Sequence, residues 1–207
     1  MPVSINGSNT PTAGGAVYGD GTAYVTTAAG TSGQVLRSNG SSAPTWTTLN
    51  TGYTLGTPVA TTSGTSIDFT GIPAGTKQIV LTFFGVSTNS TSVKLIQLGD
   101  SGGVEITGYL SAGPKFAAAA VDFSNQTAGY CVFSNEAGDV LHGSVILTLQ
   151  SSSTFTWVAQ GLLFVATNKA LMVTGSKSLS AELTSVRLTT LNGTDTFDAG
   201  SLNIAYI

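Results

Sequence analysis

Charge is the scarcest commodity in this sequence. Asp, Glu, Lys and Arg make up 8% of its 207 residues, where a soluble domain normally carries about a quarter. The seven basic residues (Arg37, Lys77, Lys94, Lys115, Lys169, Lys177 and Arg187) are scattered, and the formal net charge is −3. Nucleic acid and anionic membrane surfaces are held by clustered Lys and Arg, so neither is expected as a partner. Cysteine is nearly missing too: Cys131 stands alone, which excludes an intrachain disulfide. With one Cys and one His, zinc cannot collect four such ligands within one chain; an ion shared on a three-fold axis stays open. No apolar run approaches the ~20 residues of a spanning helix, so membrane insertion is not expected. The opening Met1-Pro-Val-Ser-Ile5 has neither the basic nor the apolar region of a secretory signal, and synthesis and assembly in a cytoplasm is the expectation.

What is present points to strands. Hydrophobic residues reach 41%, which together with the low net charge argues against disorder. The polarity comes from Ser, Thr, Asn, Gln and 26 Gly, residues that suit pleated surfaces and the turns between them. The pattern changes near Asn50. Residues 1–50 carry only two charges, Asp20 and Arg37, and isolated apolar pairs, Val17-Tyr18, Tyr24-Val25 and Val35-Leu36, among Gly and small polar residues. A segment this sparse buries too little surface to offset its ordering entropy alone, and is expected to lean on neighbouring chains. Within it, residues 34–46 read as strand, Asn-Gly turn, strand.

From residue 52 to 207 short strands follow one another: 67–69, 78–86, 93–98, 129–134, 143–150, 155–165, 170–174, 184–191 and 201–207. The near-continuous apolar run over 78–86 predicts a strand buried on both faces. Val145, Leu147 and Leu149, and likewise Leu202, Ile204 and Tyr206, alternate as in half-buried strands. The stretches 116–121 (Phe-Ala-Ala-Ala-Ala-Val) and 180–183 could each hold one helical turn. The expected fold class is all-β, a β-sandwich or jelly roll of about ten strands over 52–207, preceded by an extended β-rich attachment and trimerisation segment over 1–50.

Searching for chemistry yields little. His142 could act as a base with Asp139 as its orienting partner, but no Gly-x-Ser-x-Gly elbow presents a nucleophile. Asp100 with Glu105, and Asp195 with Asp198, are paired carboxylates in turn-like settings, where Asp commonly bonds its own backbone. Asp100-Ser-Gly-Gly-Val-Glu105 is too sparse for a calcium loop, and Gly99-Asp-Ser-Gly-Gly103 lacks the Lys of a P-loop. No catalytic residue, metal site or cofactor is expected, and the chain is read as a non-enzyme. Sugar-stacking surfaces would need aromatics: Tyr53, Tyr109, Tyr130, Trp157 and Tyr206 are available, although Phe155 and Trp157 alternate as core residues do.

Residues 33–46 (Gly-Gln-Val-Leu-Arg-Ser-Asn-Gly-Ser-Ser-Ala-Pro-Thr-Trp) resemble a segment recurrent in bacteriophage tail-fibre and other virion fibre proteins. Residues 66–89, 95–103 (Leu-Ile-Gln-Leu-Gly-Asp-Ser-Gly-Gly), Gly108-Tyr109 and 197–206 are similar to the distal domain of such fibres. The resemblance implies a structural virion protein, a homotrimer that joins other tail or capsid proteins through its N-terminal segment and mediates attachment to a host surface glycan or protein. Shaft repeats are missing between the two ends, so a capsid-decorating head fibre or a tail adaptor without a host ligand is the alternative, and a glycan-hydrolysing spike a further one. Under this reading Asp100, Tyr109 and Asn135 are the candidate host contacts in loops. Val17, Tyr18, Tyr24, Val25, Val35, Leu36 and Trp46 are the candidate trimer contacts.

Overall fold

A computed structural model describes residues 12–49, 52–165 and 168–207, and among these the chain is all-β. It divides into two compact units, Met1–Gly52 and Tyr53–Ile207. The expected boundary residue Asn50 and residues 1–11 of the attachment segment lie outside the described residues.

The first unit is two hairpins. β1 (Val17–Gly19) pairs with β2 (Tyr24–Thr26), and β3 (Gln34–Asn39) with β4 (Ser42–Thr48). The second hairpin is the one read from the sequence, with its turn one residue further on. Asn39 pairs with Ser42, so Gly40 and Ser41 are the central residues, and Gly40 supplies the positive φ of 70°. Trp46 joins the two hairpins: its indole N–H donates to Thr27 Oγ1 at 3.1 Å and to the Ala28 carbonyl at 2.8 Å. Gly30 leaves room for the ring, since a Cβ there would lie 2.6 Å from the indole. Trp46→Ala should therefore release β1–β2 from β3–β4, raising the amide exchange of residues 24–28 severalfold while leaving that of 141–165 unchanged.

In the second unit the strands are β5 (Thr54–Leu55), β6 (Val59–Ala60), β7 (Ser66–Thr70), β8 (Gln78–Thr88), β9 (Lys94–Asp100) and β10 (Gly103–Val104). They continue with β11 (Leu110–Ala117), β12 (Ala120–Gln126), β13 (Tyr130–Val132), β14 (Leu141–Ser151) and β15 (Thr156–Val165). The last three are β16 (Lys169–Ser178), β17 (Ser185–Thr190) and β18 (Phe197–Tyr206). A nine-stranded sheet runs β12-β11-β16-β15-β14-β8-β18-β5, with β6 also on β18; a five-stranded sheet runs β10-β9-β17-β7, with β13 also on β9. Every pairing is antiparallel.

The inward residues of both sheets meet in one apolar core. Alternation places Ile79, Leu81 and Phe83 of β8, Val145 and Leu147 of β14, and Leu202 and Ile204 of β18 on the same side, against Leu98, Val186 and Leu188 from the smaller sheet. Two expectations are corrected. β8 is buried on one face only, because Phe84, facing away from the core, is 70% exposed. A long strand buried along its whole length is β9, although it carries Lys94, Gln97 and Asp100. A hydrophobic run cannot say which of its faces a neighbour covers. The four alanines of 117–120 form no helical turn either: Ala117 pairs with Ala120 across a tight turn between β11 and β12. The flanking strands set that turn, since four residues are far too few to nucleate a helix.

Candidate functional site

The expected host contacts fall into two side-chain networks. Asp100 ends β9 and is 6% exposed; it accepts hydrogen bonds from the Gly102 N–H at 2.7 Å and the Ser180 hydroxyl at 2.6 Å. The Ser180 hydroxyl, then the Gly102 N–H, hold its carboxyl below the usual range. Glu105 accepts from the Ser180 N–H at 2.7 Å and pairs with Lys177. Burial pushes the Glu105 carboxyl up, and Lys177 and Ser180 together bring it below its ordinary value.

Tyr109 belongs to the same network and is no surface residue. It is fully buried, its ring meets Tyr130 edge-on at 5.2 Å, and Lys177 Nζ lies 5.4 Å from its centroid. Its hydroxyl accepts from the Leu98 N–H at 2.6 Å and donates to the Glu105 carbonyl at 3.1 Å. A ring in this position cannot stack on a sugar. Neighbouring Gly108 suggested a loop, but an aromatic beside a turn can as readily plug the end of a core.

Asn135 lies apart, in the loop after β13, where it accepts from Lys115. Lys115, 3% exposed, also pairs with Glu136 at 3.2 Å, and Lys169 bridges Glu136 at 2.6 Å and Asp139 at 3.4 Å. Asp139 is occupied by Lys169 and by the Ser134 hydroxyl at 3.1 Å, not by His142. Ser134 Oγ in turn lies 3.1 Å from Lys94 Nζ, a hydroxyl beside a base. Burial lowers the Lys94 ammonium to about 8, against the pull of Asp139, Asp195 and Asp198. Both residues are fully buried, so no substrate can reach the pair, and its role is to anchor the 134–139 loop. The second carboxylate pair is also engaged: Asp195 accepts from Asn192 Nδ2 at 2.5 Å and the Ser92 N–H at 2.9 Å, and Asp198 from Ser87.

Of the aromatics considered for ligand stacking, Tyr130 and Trp157 are buried like Tyr109, Tyr206 packs partly against the core, and Tyr53 is exposed. Among the described residues the Trp157 indole N–H has no hydrogen-bond partner, and Trp157 lines, with Phe155, a cavity of about 190 Å³.

The larger depression is an open groove of about 490 Å³ along β11, β12 and β16. Leu110 and Ala112 give it an apolar side, and Asn125, Gln126, Thr127 and Thr174 supply amides and hydroxyls. No lining residue is charged. Such a surface can hold a neutral, hydroxyl-rich ligand by hydrogen bonds to its rim and apolar contact to its face. Sequence reading missed these residues because the β11–β12 hairpin went unrecognised. The available signal was the alternation of Leu110, Ala112, Pro114 and Phe116, resumed by Val121 and Phe123 across the alanines.

In the N-terminal unit Val17, Tyr24, Val35 and Leu36 are exposed at 52, 55, 37 and 42%. Tyr18 and Val25, directly paired, are half-buried. Trp46, expected as an intermolecular contact, is held within its own chain by the two hydrogen bonds described above. Among known proteins, no family model, no curated protein and no solved structure matches this chain.

Proposed function

We propose that this chain is a subunit of a bacteriophage virion fibre, a non-enzymatic homotrimer that attaches the particle to a host surface. In this reading the N-terminal unit brings copies together and docks them to other virion proteins, and Tyr53–Ile207 is a β-sandwich head carrying the host contact. The observation that carries it is the state of the first unit: two hairpins joined through one tryptophan, with Val17, Tyr24, Val35 and Leu36 turned to solvent. Apolar side chains on so small a unit gain most by meeting the same side chains on sister copies. The likeness of residues 33–46 to virion fibre segments supports the same reading.

The groove along β11 and β12 supplies the host contact, and its neutral lining favours an uncharged glycan over an anionic one. Three weak sites on one particle give attachment through avidity. Glycan-array binding by the full-length protein is the test, and Asn125→Ala together with Gln126→Ala should weaken a positive signal by about tenfold, the loss of one or two hydrogen bonds. Silence across neutral glycans, with the protein located on capsids, would favour a head-decorating subunit instead. Sedimentation of the full chain should show three copies, and Val35→Asp with Leu36→Asp should weaken that association.

A further inference from the structure

Two adjacent rows on the outward face of the nine-stranded sheet are largely apolar and exposed. One cross-strand row reads Phe84, His142, Phe164, Ala170, Phe116 and Val121, each opposite the next. The adjacent row reads Thr82, Ser144, Leu162 and Met172, and Phe123 faces Pro114 at the β12 edge. Phe84 is 70% exposed, Phe123 69%, Leu162 64% and Phe164 55%. Over β8, β14, β15, β16, β11 and β12, no outward position of this register holds Asp, Glu, Lys or Arg; the charged residues of those strands, such as Lys115 and Lys177, point to the other side.

Six strands about 4.8 Å apart and these two outward rows about 6.8 Å apart make a strip of roughly 29 by 14 Å, on the order of 400 Å². Monomers rarely leave more than a few hundred Å² of contiguous apolar surface in water. The strip supplies about half of the roughly 800 Å² that each partner contributes to a stable interface. A partner chosen by charge has nothing here to pair with and would strand its own charges. A second copy brings an equally uncharged, equally apolar face, and it is present whenever the chain itself is made.

We infer that this face packs against the same face of other copies of the chain, so that the Tyr53–Ile207 unit is itself held in the assembly. The surface lies outside the segment assigned above to trimerisation and does not depend on the fibre reading. The groove lined by Asn125 and Thr174 sits at the edge of this face, beside the seam between copies.

The test uses the full-length protein and two readouts: mass by sedimentation, and the rate at which peroxide oxidises Met172, which is 38% exposed in the single chain. Sedimentation as an oligomer is expected, with Met172 reacting at least about tenfold more slowly than in urea, and Leu162→Asp should raise the dissociation concentration at least about tenfold. That variant replaces an exposed side chain, so its circular dichroism should be unchanged, and its Met172 should become reactive. An oligomer whose mass survives Leu162→Asp and whose Met172 reacts as in urea would overturn the inference and leave assembly to Val35 and Leu36 alone. A protected Met172 in a single protomer would overturn it as well, because the chain would then cover its own face. A single protomer with reactive Met172 would remove both this interface and the trimer.

Discussion

Gly200→Ala is expected to destabilise the protein by at least about 3 kcal/mol, the largest effect of a methyl group added at any of the described glycines. Gly200 sits in β18 where the register against β8 shifts between Ala199 and Ser201. Its φ is +89°, and a Cβ there would lie 2.2 Å from the Gly85 carbonyl oxygen and 2.6 Å from that of Phe84. Those atoms are backbone and cannot swing aside, so one of the two strands must move. Because Leu202 and Ile204 of β18 and Phe83 of β8 all enter the core, the movement spreads into packed side chains. Gly193→Ala is the control: its φ of +67° is equally unfavourable, but a Cβ there meets nothing within 4 Å. It should cost only about 1 kcal/mol, the left-handed backbone penalty. Urea unfolding of the two variants measures the difference. Equal costs would show that close strand approach is not what selects glycine at position 200.

Lys94 gives the second large effect, through pH. Its ammonium has a pKa of about 8 in the folded chain, lowered by burial from an ordinary 10.5. Between these values the unfolded chain holds a proton that the folded chain has lost, so stability rises as pH rises through the window. Below about pH 8 the penalty of burying the ammonium is fully present and constant. The shift corresponds to about 3 kcal/mol. Lys94→Met fills much of the same volume without the charge, so the stability difference between unsubstituted protein and variant should move by about that amount, in favour of lysine, from pH 8 to 10.5. Cys131 works in the opposite direction: burial pushes its thiol to about 11, so stability falls as the unfolded thiol ionises. Tyr109 and Tyr130, raised by burial, add to that fall above their ordinary range. These groups are present in both proteins and cancel in the difference. A flat difference would mean that Lys94 reaches water, and its hydrogen bonds to Ser134 would no longer define a sealed anchor for the 134–139 loop.

The two effects share a cause, which is that this fold places unusual residues where strands meet closely or lose their solvent. The same holds for the bare sheet face. Its six strands bring together side chains separated in sequence by as many as ninety positions, from Thr82 to Met172.

By itself the sequence determined that the chain is built of strands, where its composition changes, and the period of most strands. Alternation at Val145, Leu147 and Leu149, or at Leu202 and Ile204, is a local property of a pleated chain and needs no partner to be legible. The hairpin of residues 34–46 was readable for the same reason, since turn and flanking strands are contiguous. Only the tertiary structure decided which faces are covered. It buried Tyr109 and Lys94, left Phe84 and Phe164 in the open, and turned 116–121 from a possible helical turn into the tip of a hairpin. Burial depends on which strand arrives from elsewhere in the chain to lie above a given side chain. A residue's own neighbours in sequence carry no record of that.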